Sequence, residues 1–157
     1  MTFGTVTNFD ESATVRFERI IGAAVEVVWN ALTDPTEIAA WLAPAGFDAR
    51  AGGNVSIDFG EGGTVAGAIT EFEPLRVLEY TWTFTGERDS VLRFELTADG
   101  AKTKLVLEHR LLPPDQAVGY GAGWHAHLDM FGAHVTNATP VDWDERFTEV
   151  LGAYAGA

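Results

Sequence analysis

The stretch VLEYTWTFTGERDSVLRFELTADGAKTKLVLEHRLL, residues 77–112, decides the fold. Leu78, Tyr80, Trp82 and Phe84 alternate with Glu79, Thr81 and Thr83. Leu92, Phe94 and Leu96 alternate with Arg93, Glu95 and Thr97, and Leu105, Leu107, His109 and Leu111 with Lys104, Glu108 and Arg110. A period of two belongs to a strand, whose successive side chains point to opposite faces. Gly86-Glu87 and Ala98-Asp99-Gly100 supply the turns. Strands joined this closely run antiparallel, and apolar residues on one parity alone mean one wet face and one covered face.

Upstream, Val15 and Phe17, and then Val55, Ile57 and Phe59, show the same alternation. A further strand is expected over 64–72, with its inward parity open, and a short one over 47–50. Gly52-Gly53, Gly60–Gly63 and Pro74 mark turns. The covered face needs helices. Val25, Val28, Trp29 and Leu32 predict a helix over 24–32. Asp34-Pro35 starts a second, ending near Trp41, with Asp34 as N-cap and Pro35 at the first helical position. From Pro114 a long helix carries Tyr120, Trp124, Leu128, Phe131 and Val135 as one stripe, with Gly119, Gly121 and Gly123 weakening its first turns. Trp143, Phe147, Val150, Leu151 and Tyr154 predict a last helix. Trp143 and Phe147 on it either build a dimer face or cap the core.

The expected architecture is a single α+β domain over 1–157. A strand, two short helices and five or six antiparallel strands precede a long helix around which the sheet curls. Its core spans 13–136, an extra helix covers about 142–155, and residues 1–12 and 152–157 are loose ends.

The chain has 157 residues, no cysteine, and 10 basic against 23 acidic residues, a net charge of −13. A length near 150 suits one domain with its own core. The lack of thiols excludes a disulfide scaffold and thiolate metal sites. Phosphate backbones repel so acidic a surface, which argues against nucleic-acid binding, and anionic membranes are disfavoured for the same reason. No apolar run is long enough to span a membrane. Asp10, Glu11, Arg16 and Glu18 make the N-terminus unlike a secretion signal, so the expected compartment is the cytoplasm.

Ala24-Val25-Glu26-Val27-Val28-Trp29, Ala31-Leu32-Thr33-Asp34-Pro35 and Trp41 stand in a familiar order with Gly52-Gly53, Gly67, Glu71, Pro74, Arg76, Tyr80 and Trp82. Thr103, Leu105, Leu107 and His109 follow, then Gly123-Trp124-His125 and Leu128-Asp129. Together they resemble the START-like superfamily, also called the SRPBCC or polyketide cyclase/dehydrase group. The branch is the bacterial proteins similar to the C-terminal domain of the activator of the 90-kDa heat-shock protein ATPase. The resemblance runs from about Val15 to Val135. Gly22-Ala23-Ala24 stands where that family often has Ala-Pro before the first helix. The resemblance implies a helix-grip fold with a cavity between the curved sheet and the C-terminal helix, mostly used for hydrophobic small molecules. Some members are cyclases or dehydratases, and some act on the chaperone. No shared catalytic constellation transfers.

The residues expected to line such a cavity are Trp41, Phe59, Trp82, Phe94, Leu107, His109, Trp124, Leu128 and Phe131. Aromatic walls with few polar points suit an apolar or aromatic ligand; the alternative is that the same side chains fill a packed core. His109, inward among leucines, is either a ligand-facing acid or base or a core histidine satisfied by a neighbour. An enzyme reading of the cyclase or hydrolase type rests on His109 with His125, Tyr80 and Glu71. Glu71 shares a strand face with Glu73, either at the cavity mouth or in solvent. Ser56 and Ser90 stand in no nucleophile motif, and Gly60–Gly63 is no phosphate loop. His125 and His127 point to nearly opposite sides of a helix, and His127 and His134 stand ~10.5 Å apart along it, too far for one ion. Neither metal nor cofactor is expected. The expected function is binding of a small hydrophobic ligand, with a homodimer possible, and with the enzyme and, last, the chaperone partner as alternatives.

Overall fold

A computed structural model describes residues 1–156. In it eight strands form a single antiparallel sheet: β1 (Thr5–Asn8), β2 (Ala13–Ile21), β3 (Ala45–Phe47), β4 (Asn54–Asp58), β5 (Thr64–Glu73), β6 (Val77–Phe84), β7 (Ser90–Asp99) and β8 (Lys102–Leu112). Their order is β1-β2-β8-β7-β6-β5-β4-β3, so β2 crosses to the last strand and the rest is a meander. Helices α1 (Val25–Thr33) and α2 (Pro35–Trp41) lie between β2 and β3, and α3 (Ala117–Thr136) and α4 (Trp143–Ala155) follow β8.

Register turns the alternation into a core. Phe17 pairs with Leu107, Leu107 with Phe94 and Phe94 with Leu78; Val15, His109, Leu92 and Tyr80 form the next row. All eight are buried on the face that meets α3. Burying each large apolar side chain contributes about 1.5–3 kcal/mol. At Gly67 of β5 a Cβ would lie 1.9 Å from the Thr81 carbonyl oxygen, a place only glycine fits.

The short helices follow their signals. Asp34 accepts from the Thr36 amide at 2.8 Å, with Pro35 in the first turn. Without a capping side chain at Ala24, α1 starts at Val25. Trp29 packs on Phe72 at 5.4 Å between ring centroids. The Trp41 indole donates to the Ala31 carbonyl and stands edge-on to Phe131.

Five expectations need correction. Residues 1–12 are not a loose end: β1 lies among them, held by backbone pairing from Thr5↔Arg16 to Asn8↔Ala13. Nor is the stretch 152–156 wholly loose, since α4 continues to Ala155; residue 157 lies outside the described residues. The short strand is 45–47 rather than 47–50, because Arg50 and Gly53 turn the chain by hydrogen bonds to Asp48 and Arg50 carbonyls. Leu111 is not inward. Three steps of β8 from His109 to Leu112 oppose two of β2 from Val15 to Ala13, a bulge that gives Leu111 a φ of 62° and turns it to solvent while Leu112 takes the core position. Pro114–Gln116 is a 3₁₀ turn, so α3 begins at Ala117.

Trp124, Leu128 and Phe131 of the expected α3 stripe are buried, and Tyr120 and Val135 half-buried. Gly121, Ala122, His125 and Ala126 form a second buried side, because α4 covers the helix from behind. A Cβ on Gly121 would come within 3.0 Å of Tyr154 and 3.2 Å of Val6, so a small residue there lets α4 and β1 close. Asp142 caps α4 by accepting from the Glu145 amide. No helix of the described residues is long and apolar enough to cross a membrane.

Candidate functional site

A cavity of about 670 Å³ opens between the first half of α3 and the β4–β6 side of the sheet. The sheet side contributes Phe59 and Gly62 after β4, Trp82 and Phe84 of β6, and Glu87 in the turn beyond. The helix side contributes Gly119, Tyr120, Gly123, Trp124, His127 and Met130, with Gln116 just before it. Leu42 after α2 and Trp143 and Asp144 at the start of α4 complete the wall. The rings pack as a chain. Trp82 stands edge-on to Trp124 at 5.5 Å and to Tyr120 at 6.4 Å; Phe59 lies 6.2 Å from Trp82, Phe84 and His127; His127 lies 5.9 Å from Trp124 and 5.6 Å from Trp143.

The polar groups of this wall bond among themselves. The Trp82 indole N–H donates to the Tyr120 hydroxyl at 3.0 Å, and that hydroxyl donates to Glu87 Oε1 at 2.7 Å. Burial beside a carboxylate pushes the Tyr120 phenol up. The Trp143 N–H donates to the Gly123 carbonyl at 3.3 Å. His127 Nδ1 lies 3.1 Å from the Trp41 carbonyl oxygen, which only accepts, so Nδ1 carries the proton. Burial pushes the His127 ring down to about 4, leaving it neutral with Nε2 a bare acceptor.

His109 sits behind this wall. The Trp124 N–H donates to its Nδ1 at 3.0 Å, which places the proton on Nε2. Nε2 then donates to Ser90 Oγ at 2.7 Å, and Ser90 donates to the Trp82 carbonyl at 3.2 Å. Every polar atom in this relay is engaged, and burial pushes the imidazole down to about 3. The ring is fully buried and does not reach the cavity.

Of the nine expected lining residues, Phe59, Trp82 and Trp124 line the cavity. Trp41, Phe94, Leu107, His109, Leu128 and Phe131 do not: they are buried in the core that closes the rest of the sheet against α3. Strand parity marks both groups as inward without showing where along α3 the layers part. The four catalytic candidates also lie apart. Tyr80 is buried between Phe47 and Trp82. Glu71 pairs with Arg93 on the outer face of the sheet, where Arg93 and Arg110 also hold Glu79 at 3.0 Å each. The sequence does not mark Tyr120, Glu87, His127, Trp143 and Asp144 as site residues, although they line the cavity. Tyr120 was legible only as an apolar stripe member, and the wall made by Trp143 depends on how α4 folds back.

His125 belongs to a different cluster. The Gly4 amide donates to the Tyr154 hydroxyl, which donates to His125 Nδ1 at 2.7 Å. His125 Nε2 then lies 3.4 Å from Asp129 Oδ2, while Arg19 and Arg146 both pair with the same carboxylate. Burial raises the Asp129 carboxyl, but the His125 ring and the Arg19 guanidinium beside it outweigh that and hold it well below the usual carboxylate range. This cluster ties β1, β2, α3 and α4 together behind the helix. His134 pairs instead with Glu37 at 3.1 Å. No group of three or more His, Asp or Glu side chains among the described residues is placed to hold a metal ion. Trp143 and Phe147 stack at 4.7 Å; Phe147 packs against the core, while Trp143 lines the cavity.

The crystal structure of CalU16 from Micromonospora echinospora is 28% identical, with a TM-score of 0.82 over 99% of this chain and 96% of that one, a span too long to leave out α4. MLL2253 from Mesorhizobium loti is 30% identical, covering 80% of this chain and 98% of its own, with a TM-score of 0.73. BPP1335 from Bordetella parapertussis is 26% identical over 99% and 92%, with a TM-score of 0.77. No curated protein matches. The family model described as Activator of Hsp90 ATPase homolog 1-like protein matches residues 22–136, from the entry to α1 through the last turn of α3. A helix-grip sheet curled on α3, with that match over most of its length, places the chain in the Activator of Hsp90 ATPase homolog 1-like family of the START-like superfamily.

Proposed function

We propose that the chain binds a small hydrophobic or aromatic molecule in the cavity between α3 and the β4–β6 side of the sheet. One observation carries this reading: about 670 Å³ of space walled by Phe59, Trp82, Phe84, Tyr120, Trp124 and Trp143. Ligand sites generally occupy about 300–1,000 Å³ and are mostly apolar with a few placed polar groups. A family whose fold commonly takes hydrophobic ligands supports it. The cyclase or hydrolase reading has less support, because His109 is sealed by Trp124 and Ser90 and Glu71 lies on the far side of the sheet. A chaperone-partner role rests on the family description alone.

Three tryptophans in the wall make indole fluorescence the assay. Titration with naphthalenemethanol, an uncharged aromatic probe, is expected to give saturable quenching. At a hundredfold excess over Kd, binding adds about 2.7 kcal/mol to stability, which raises Tm by about 5–10 °C for a chain of this size. A linear, non-saturating response with no change in Tm refutes the reading.

A further inference from the structure

We propose that the natural occupant of this cavity is a cation, an aromatic or alicyclic amine whose ammonium group sits among the indole faces near the Glu87 and Asp144 carboxylates. The inference rests on the binding function proposed above and specifies its ligand class.

The argument begins with the donors. The N–H groups of Trp82, Trp124 and Trp143, the Tyr120 hydroxyl and His127 Nδ1–H are all spent inside the protein. What the wall leaves over are acceptors: His127 Nε2, Glu87 Oε2 and the Asp144 carboxylate. Asp144 and Gln116 are exposed at the rim, and only Gln116 offers a side-chain amide of both kinds. An occupant that satisfies this wall therefore brings hydrogens to donate.

Charge points the same way. Two carboxylates line the cavity and no Lys or Arg does. Arg88, next to Glu87 in the chain, turns away to the Glu11 and Leu112 carbonyls. Asp144 is not needed to cap α4, since Asp142 already accepts the Glu145 amide. His127 stays neutral and adds no positive charge. Aromatic faces attract cations through the negative potential above the ring, indole most strongly, and a cleft lined by charge of one sign focuses that attraction. An anionic ligand meets like charge and no free donor among the aromatic and imidazole groups.

The test uses three probes of one shape: naphthylmethylamine as its ammonium, naphthalenemethanol and naphthoate, titrated at pH 7.5 and physiological salt against the intact chain. The ammonium is expected to bind about tenfold more tightly than the alcohol, and naphthoate the most weakly. Glu87→Gln and Asp144→Asn are each expected to lower the ammonium-to-alcohol ratio severalfold. Glu26→Gln, the same charge change on exposed α1 away from the cavity, is expected to leave the ratio as it is. An alcohol that binds as well as the ammonium, or a ratio that Glu26→Gln lowers as much as Asp144→Asn, overturns the cation inference and leaves the cavity reading standing. Binding of none of the three overturns both.

Discussion

Two imidazoles held neutral inside the fold make its stability depend on pH in a predictable window. In an unfolded chain a histidine takes up a proton near pH 6.5; in the fold, burial delays this to about 3 at His109 and about 4 at His127. Between those values the unfolded state binds more protons, so stability falls as pH falls. Each unit of pH below 6.5 costs about 1.4 kcal/mol per group. At pH 5 the loss is about 2 kcal/mol for each ring, or about 4 kcal/mol together, against a total of about 5–15 kcal/mol for a typical domain. For a chain of this size that lowers Tm by about 8–16 °C. The carboxyls held below their ordinary values, Asp129, Glu79 and the exposed Glu18, lose their contributions chiefly below pH 5, so the interval from 7.5 to 5 isolates the imidazoles.

Thermal unfolding followed by circular dichroism at pH 7.5 and 5.0, without ligand, measures the effect. His127→Gln keeps an amide to donate to the Trp41 carbonyl and removes one titrating ring, so it is expected to halve the pH-dependent loss whatever it does to stability at pH 7.5. A Tm that moves by less than a few degrees between the two pH values refutes the reasoning. It means that protons and water reach both rings in the folded state, and that the relay from Trp124 to Ser90 is not closed.

Three further outcomes follow from the geometry. Gly119 lines the cavity with nothing within 4 Å of where a Cβ would stand; Gly119→Ala is expected to raise stability by up to about 1 kcal/mol, read as a Tm gain of about 2–4 °C, whereas Gly119→Trp is expected to fill the space and abolish quenching by naphthalenemethanol. Tyr154→Phe strands the Gly4 amide and His125 Nδ1, at a cost of about 1–3 kcal/mol, and is expected to speed hydrogen exchange at the β1 amides before the rest of the sheet. Leu107→Ala opens the packed part of the core at a cost of about 2–5 kcal/mol, and because Leu107 does not touch the cavity the affinity for naphthalenemethanol is expected to hold.

Elements with a strong period were legible. The rows through Phe17, Leu107, Phe94 and Leu78 lie where one-sided alternation puts them, and Asp34-Pro35 marks its helix start. Features set by the backbone or by distant partners were not. β1 carries one inward-packing apolar side chain, Val6, and is held by ladder hydrogen bonds that any sequence can make. The bulge at Leu111 reverses parity through a single dihedral, and alternation continued past His109 names the wrong leucine. For the cavity, parity separates inward from outward but says nothing of depth. Phe59 and Phe94 are both inward, yet one meets open space and the other meets Trp124 edge-on at 6.5 Å.

The glycines of α3 explain where the layers part. Read along the sequence, Gly119, Gly121 and Gly123 only weaken a helix. In three dimensions they divide. Gly121 faces away from the cavity, toward Tyr154 and Val6, where any larger residue collides. Gly119 and Gly123 face the hollow and withhold the side chains that would occupy it. Each glycine in a helix costs up to about 1 kcal/mol relative to alanine, and at Gly119 no contact compensates for it. The space persists because its far wall is propped from outside the helix-grip core: Trp143, backed by Phe147 and tied to the Gly123 carbonyl, stands across the gap from Phe59 and Trp82. A side chain absent from α3 and an indole supplied by α4 thus make one site; the apolar period of α4 predicts its helix but not that Trp143 folds back across the gap.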